Sequence, residues 1–367
     1  MKKFIFALFL MISTIAGAAI LGIPYLFSQV GFWTGIACLG IVLFAATLMT
    51  LYIAEVTLRT KETFHLSGFA KKYLGRNWYF IVLSLEILAL YSAIIAYLTA
   101  VGISLADMFG GQPLIWGTLF FVAASPLIFL GVSRFDKSEA LVSASKIVLL
   151  VALIALFFPT IQQSNIAGFD AAKIFVPYGL ILFACLGYTV IPQLETVFKK
   201  DLKKIFPVVI VGMLIAFILY FGFAYVFVGS FGTSVGEIAT VGLPTYRGWG
   251  DFYVLLATAT PFIALSIAVR NVYVKDAGLN KKLSWFLASL IPFLMYIYVK
   301  LGFVNFLQIA GGVFGSGIGI ASGLLVLKAR EKSKKKPAFV VPGGDFLVYV
   351  MMAVFASGII YTIYNFF

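Results

Sequence analysis

The sequence predicts an all-α polytopic membrane protein of about 11 transmembrane helices, built as a 5+5 inverted repeat with broken helices 1 and 6 plus one extra C-terminal helix. Three observations predict it. Of 367 residues, 62% are hydrophobic and 11% charged, with a mean hydropathy of +1.07, whereas soluble domains are roughly half apolar and a quarter charged. Apolar stretches of about 20 residues, the length that crosses a hydrocarbon layer of roughly 30 Å, recur along the whole chain. Lys and Arg gather in alternate connecting segments, as they do where a chain is threaded back and forth through a bilayer.

Read in order, the apolar stretches place spans near residues 4–30, 33–58, 78–108, 114–132, 138–158, 174–198, 205–228, 252–274, 283–299, 303–327 and 346–366. Residues 1–160 then form the first five-helix repeat, 174–330 the second, and 343–367 the additional helix. The opening MKKFIFALFLMISTIAGAA imitates a secretory signal. Its apolar run continues past any cleavage site, so it reads as the first span. Between spans two and three, FHLSGFAKKYLGRN mixes apolar and basic residues at helical spacing, which suits a short amphipathic helix on the membrane surface. His65 within it reads as interfacial.

Of 27 Lys and Arg, 22 fall in segments on the N-terminal side and three on the other, while Lys146 and Arg270 lie inside spans. That bias orients a multi-pass protein of the cytoplasmic membrane with its N-terminus cytoplasmic and its C-terminus extracellular. It also accounts for the formal charge of +13 by topology, which argues against a nucleic-acid partner. The basic run Lys332–Lys336 reads as a loop touching anionic lipid. One His and two cysteines, Cys38 and Cys185, offer no metal site, and no paired-carboxylate or His-based constellation points to an enzyme. The expectation is no catalytic residue, no metal and no cofactor.

Spans one and six depart from uniform apolarity. Residues 13–24, STIAGAAILGIP, and 183–195, FACLGYTVIPQLE, each combine small residues, Gly and a Pro near mid-span. Gly without a side chain and Pro without an N–H interrupt helical hydrogen bonding. Both breaks run through a related tripeptide, Gly22-Ile23-Pro24 and Val190-Ile191-Pro192. Broken backbone at that depth must line a protein-enclosed cavity, and a pair of such spans in corresponding positions of two inverted units marks a midplane substrate site.

These residues resemble a family. Gly17-Ala18-Ala19-Ile20-Leu21-Gly22-Ile23-Pro24 is similar to the GAGIL-x-x-P segment of amino acid permeases of the amino acid–polyamine–organocation superfamily. ILFACLGYTVIPQLE followed by KKDLKK is similar to their FAF-x-G…P…E pattern. The amino acid/auxin and hydroxy/aromatic amino acid permease branches are closest. The resemblance implies the leucine-transporter-type fold and secondary transport of amino acids. It implies that the N–H groups of Gly17, Ala18 and Ala19 receive the substrate carboxylate at a half-helix start, and that carbonyls of Phe183, Ala184 and Cys185 meet the substrate ammonium. Thr14 and Ile15 would border the side-chain pocket, Tyr188 or Phe183 would gate it, and Tyr91 and Ser92 lie at the right depth on span three. Ala19 stands where the family usually has Gly, which narrows the approach to the backbone.

Lys146 lies about 12 Å inside span five, a depth that is costly for a cation. In some proton-coupled relatives a span-five lysine stands where sodium-coupled ones hold sodium. Lys146 is therefore expected to carry the coupling proton, bridging span one near Thr14 to Ser266 on span eight, with Thr260 a less well placed alternative and Glu86 the partner if it is only structural. The function expected is proton-coupled symport of a neutral amino acid by alternating access. Alternatives are a sodium-coupled symporter or exchanger of the same fold and, behind them, a membrane-embedded enzyme. The partners expected are the amino acid and membrane lipid, with no obligatory protein partner.

Overall fold

The computed structural model describes residues 2–62, 64–131, 136–199, 201–245, 247–275 and 278–366. Arg134 and Lys200, two of the basic residues behind the sidedness reading, lie outside the described residues. Among the described residues every regular element is a helix, the form in which a chain in hydrocarbon satisfies its own N–H and C=O groups. In chain order these are α1 (Lys2–Ile15), α2 (Ile23–Val30), α3 (Phe32–Arg59), α4 (Leu66–Tyr73), α5 (Arg76–Phe109), α6 (Pro113–Leu130), α7 (Asp136–Phe157), α8 (Tyr178–Ala184) and α9 (Ile191–Val197). The remainder are α10 (Ile205–Phe231), α11 (Arg247–Lys275), α12 (Lys281–Trp285), α13 (Ile291–Tyr298), α14 (Phe303–Ile309), α15 (Ser316–Lys332) and α16 (Gly344–Phe366).

Eight helical stretches among the described residues are long and apolar enough to cross a bilayer, and nine if α1 and the Ala18–Val30 stretch, bent by 50°, form one broken span. The two further expected spans correspond to α7 and to the α12–α13 stretch. Neither reaches the same length of unbroken apolar helix. The first turns of α7 carry the polar run DKSE, and α12 passes into α13 through a π-turn at Phe286–Leu290. The surface helix expected over 64–77 is α4, with Leu66, Phe69, Ala70 and Tyr73 buried and Lys71 and Lys72 exposed. His65 is exposed at its start.

Burial separates an inner from an outer set. In the most apolar windows, 67% of residues are buried in α3 and in the α14–α15 stretch, against 22% in α6 and 28% in α16. The inner helices carry apolar residues on all sides, as helices enclosed by others do. α5 packs on α11, α6 and α14, while α8 packs on α3, α14 and the π-turn Ala310–Gly315 that joins α14 to α15. Backbones come unusually close there: a Cβ on Gly311 would sit 1.9 Å from the Gly179 carbonyl oxygen, so only glycine fits.

One end of the bundle is fastened by a carboxylate. Glu55, fully buried near the end of α3, accepts hydrogen bonds from Arg59 Nε at 2.9 Å, from Arg330 Nε at 3.0 Å and Nη2 at 2.9 Å, and from the Val341 N–H at 3.0 Å. Arg330 reaches onward to Asp345 at 2.9 Å. α3, α15 and α16 are thereby tied together by a two-pronged guanidinium–carboxylate pair. The basic tail is part of this closure: Lys335 donates to the Thr60 carbonyl at 2.8 Å and Lys332 to that of Tyr73 at 3.1 Å. Two of the tail lysines thus cap helix ends, in addition to any lipid contact. Glu55→Ala would leave Arg59 without its carboxylate and Arg330 with the exposed Asp345 alone as its acid partner, at a cost on the order of 3 kcal/mol. Thermal unfolding of the purified protein is expected to start well below that of the wild type, and an unchanged midpoint would show that the clamp carries no stability.

Candidate functional site

The two breaks share one backbone grammar. After α1, the Gly17 N–H donates to the Ile15 carbonyl at 2.6 Å, a turn closed over two residues, and a 3-10 stretch Ala18–Gly22 leads into α2 with Pro24 in its first turn. After α8, the Gly187 N–H donates to the Cys185 carbonyl at 2.7 Å, and a 3-10 stretch Gly187–Val190 leads into α9 with Pro192 in its first turn. Leu186, central in the second turn, has φ −71° and ψ 72°, the geometry of an inverse γ-turn. Such turns divert the chain and leave helical carbonyls without their usual donors.

Tyr220, fully buried on α10, supplies what the helices cannot. Its hydroxyl lies 2.7 Å from the Ile15 carbonyl oxygen and 2.8 Å from that of Ala184. One phenol therefore spans the last carbonyl of α1 and the last carbonyl of α8, and joins the two breaks in one cluster. Cys185, Tyr253 and Tyr97 lie within its electrostatic reach. Sequence reasoning passed over Tyr220. The available signal was a hydroxyl about fifteen residues into the apolar run of 205–228, but the surrounding FILYFGFAYVF makes it look like one more aromatic packing group.

The expected substrate residues fall as follows. Ile15, Ala18, Ala19, Ala184 and Cys185 are buried at the two breaks, Gly17, Phe183 and Tyr188 are half-buried, and Thr14 is exposed with its hydroxyl donating to Leu10 at 2.9 Å. A Cβ on Gly17 would meet nothing nearer than the Ile15 oxygen at 3.9 Å, so space opens beside the first break. The Gly17 N–H, expected as an open donor, is taken by Ile15, which leaves Ala18 and Ala19 heading the 3-10 stretch. Of the expected carbonyl acceptors, Phe183 accepts from Leu186 at 3.3 Å, Cys185 from Gly187, and Ala184 from Tyr220; each keeps a second lone pair. Tyr91 is engaged elsewhere. It donates to the Leu287 carbonyl at 2.6 Å and its oxygen pairs with the Tyr273 hydroxyl at 2.9 Å, bracing α5 against α11 and the Phe286–Leu290 π-turn.

Lys146 is buried on α7, which packs against α1, α10 and α11. Ser266 on α11 is fully buried and donates to the Phe262 carbonyl at 2.8 Å, so its oxygen remains an acceptor. Thr260 is half-buried on the same helix beside Pro261, and Glu86 lies within electrostatic reach of Tyr188. At the other end of the first break, the loop after α10 closes down: the Ala239 N–H donates to the Leu21 carbonyl at 3.0 Å, and Glu237 accepts from the Val304 N–H at 2.7 Å. Burial pushes the Glu237 carboxyl above the usual carboxylate range, and the Val304 bond opposes that shift.

Tyr220→Phe keeps the ring and leaves a buried carbonyl without its donor, at a cost of about 1–3 kcal/mol. The expected result is a lower thermal midpoint and faster hydrogen exchange at residues 15–19 and 184–188 than in wild type. Unchanged exchange at both breaks would show that the hydroxyl does not hold them.

Three comparisons bear on this arrangement. Residues 1–363 match the model of the tryptophan/tyrosine permease family. Glutamine transporter 2 of Aliivibrio fischeri is 22% identical over 301 residues, covering 77% of each chain. The crystal structure of MhsT in complex with L-phenylalanine superposes with a TM-score of 0.64 at 15% identity, covering 100% of this chain and 98% of that one. The fold is thus the leucine-transporter type, and with nearly its whole length matched the chain belongs to the tryptophan/tyrosine permease family, a multi-pass membrane permease for amino acids.

Proposed function

We propose that this permease imports an amino acid with an uncharged side chain together with a proton, by alternating access about the two broken spans. The observation that carries the reading is the pair of matched breaks at mid-span, joined through Tyr220, with open space beside Gly17. The N–H groups of Ala18 and Ala19 receive the carboxylate, where unpaired donors favour an anion. Second lone pairs of the Phe183, Ala184 and Cys185 carbonyls receive the ammonium. Ile15, Phe183 and Tyr188 shape the side-chain pocket, which brings no full charge to the substrate. The names of the relatives agree with an uncharged side chain: tryptophan and tyrosine for the family, glutamine for the curated relative, phenylalanine in the solved complex.

Coupling rests on Lys146. Its side chain is buried, and its helix packs against both α1 and α11. In the protonated form it donates to span one near Thr14 and to Ser266. In the neutral form it releases α1 from α11. The positive-inside bias supports a cytoplasmic N-terminus, and the shared grammar of the breaks supports two inverted units, residues 1–160 and 174–330, with 343–367 accessory. A sodium reading of the same fold has one feature in its favour: Pro261 removes the donor for the Ala257 carbonyl, beside the Thr258 and Thr260 hydroxyls.

In proteoliposomes without sodium, an inward proton gradient is expected to drive accumulation of a labelled neutral amino acid. Lys146→Ala is expected to lose that accumulation and keep exchange of internal for external substrate. Full accumulation by Lys146→Ala contradicts the coupling role, and accumulation that requires sodium moves coupling to the residues around Pro261.

A further inference from the structure

Away from both breaks, a groove of about 860 Å³ runs between α6 and α12, lined by Ser125, Pro126, Phe129, Lys282, Trp285 and Phe286 among others. Its wedge shape follows from the packing. Toward the start of α6 and the end of α13 the two elements are locked: Phe121 and Phe293 stack with ring centroids 4.0 Å apart, and Tyr296 donates to the Pro113 carbonyl at 3.1 Å. Toward the other end, Pro126 sits inside α6 and the π-turn Phe286–Leu290 interrupts the facing stretch. Both devices distort helices, and here the two elements meet through the edge-to-face pair of Phe129 and Trp285, ring centroids 6.1 Å apart, with the groove beside it.

The chemistry of the groove is divided along its length. Phe129, Leu283 and Phe286 are exposed along it, and Ser125 is the one polar side chain beside them on α6. One end carries Asn280 and Lys282, with Lys281 next in the chain and the Trp285 ring beside them. Asn280 accepts the Leu283 N–H at 2.9 Å through its side-chain oxygen, which leaves its amide nitrogen as a donor. Lys281 and Lys282 occupy the first turn of a helix, where the backbone dipole disfavours cations. The sidedness of the chain already places basic residues in this segment, and at the groove the same two charges would face an anionic partner.

We propose that this groove binds one anionic phospholipid, with the phosphate at Lys282 and Asn280 in the field of Lys281, and an acyl chain lying along Phe129, Leu283 and Phe286. Apolar walls alone would accept any lipid. The paired lysines at one end select for negative charge, each contributing a factor of about five in affinity near a membrane surface. The occupant wedges α6 from α12, and nothing in this site involves the amino acid cavity, so it stands or falls independently of the transport reading.

Trp285 reports occupancy directly. Purified, delipidated protein in detergent is titrated with phosphatidylglycerol or phosphatidylcholine carrying brominated acyl chains, and the Trp285 contribution is taken as the difference in quenching between wild type and Trp285→Phe. Brominated phosphatidylglycerol is expected to quench at a several-fold lower mole fraction than phosphatidylcholine, and Lys282→Ala to reduce that preference about five-fold. Ser125→Phe, which fills the groove, is expected to weaken quenching by both lipids. Equal quenching by the two lipids in wild type, a preference unaltered in Lys282→Ala, or relief of quenching by millimolar inorganic phosphate would each overturn the proposal. The first would mean ordinary annular lipid, and the last a headgroup contact to which the groove adds nothing.

Discussion

A backbone carbonyl in the middle of a membrane needs a donor, and where a helix stops supplying one the protein must provide it from somewhere else. The Ala184 carbonyl is one such group, left by the tight turn that ends α8, and the Ile15 carbonyl at the end of α1 receives the Gly17 N–H in place of a helical donor. Both are reached by the same hydroxyl, Tyr220, at 2.7 and 2.8 Å. That shared donor fixes how far apart the breaks can lie. It also explains why α10, an otherwise apolar helix, packs on α1 and α3 in the interior. One hydrogen serves two acceptors, so the junction is held with less than full satisfaction, and an incoming ammonium group finds acceptors with lone pairs to spare.

Around this junction the two ends of the bundle are secured in different ways. At one end Glu55 gathers Arg59, Arg330 and the Val341 N–H and fixes α3 to α15 and α16. At the other, the loop after α10 is held by the Ala239 N–H on the Leu21 carbonyl, the Val304 N–H on Glu237, and the burial of Val235, Ile238, Ala239, Thr240 and Leu243. The first fastening is an ion-pair network and the second mostly apolar burial, and it is the second that touches the first broken span itself.

Much of this was legible in the sequence because the strongest signals there are those of the bilayer. Spans of about 20 apolar residues, sided lysines and paired interruptions ending in Ile-Pro follow from solvent physics and survive without any alignment. The span count was less secure, because α7 and the α12–α13 stretch dilute their apolar character with polar first turns and a π-turn. At the site, the breaks themselves were readable from the Gly and Pro residues that flank them, Gly17 with Pro24 and Gly187 with Pro192, and at Gly187 the packing admits no side chain, since a Cβ there would lie 2.8 Å from Met11 Cε. Tyr220 was not, since its role depends on which two carbonyls the fold brings to its hydroxyl. Tyr91 shows the converse: it lies near the middle of α5, but position along a helix says nothing of azimuth, and its hydroxyl is spent on Leu287 and Tyr273.

The central claim is that the space beside the first break is an amino acid cavity reachable from water. Gly17 has room for a side chain, since a Cβ there meets only the Ile15 oxygen at 3.9 Å, and both native cysteines are buried. The decisive measurement is the alkylation rate of Gly17→Cys by a hydrophilic methanethiosulfonate reagent, with and without a saturating mixture of neutral amino acids. The account predicts prompt modification that the amino acids slow several-fold. A thiol that does not react, or one that reacts at the same rate with and without amino acids, would contradict it.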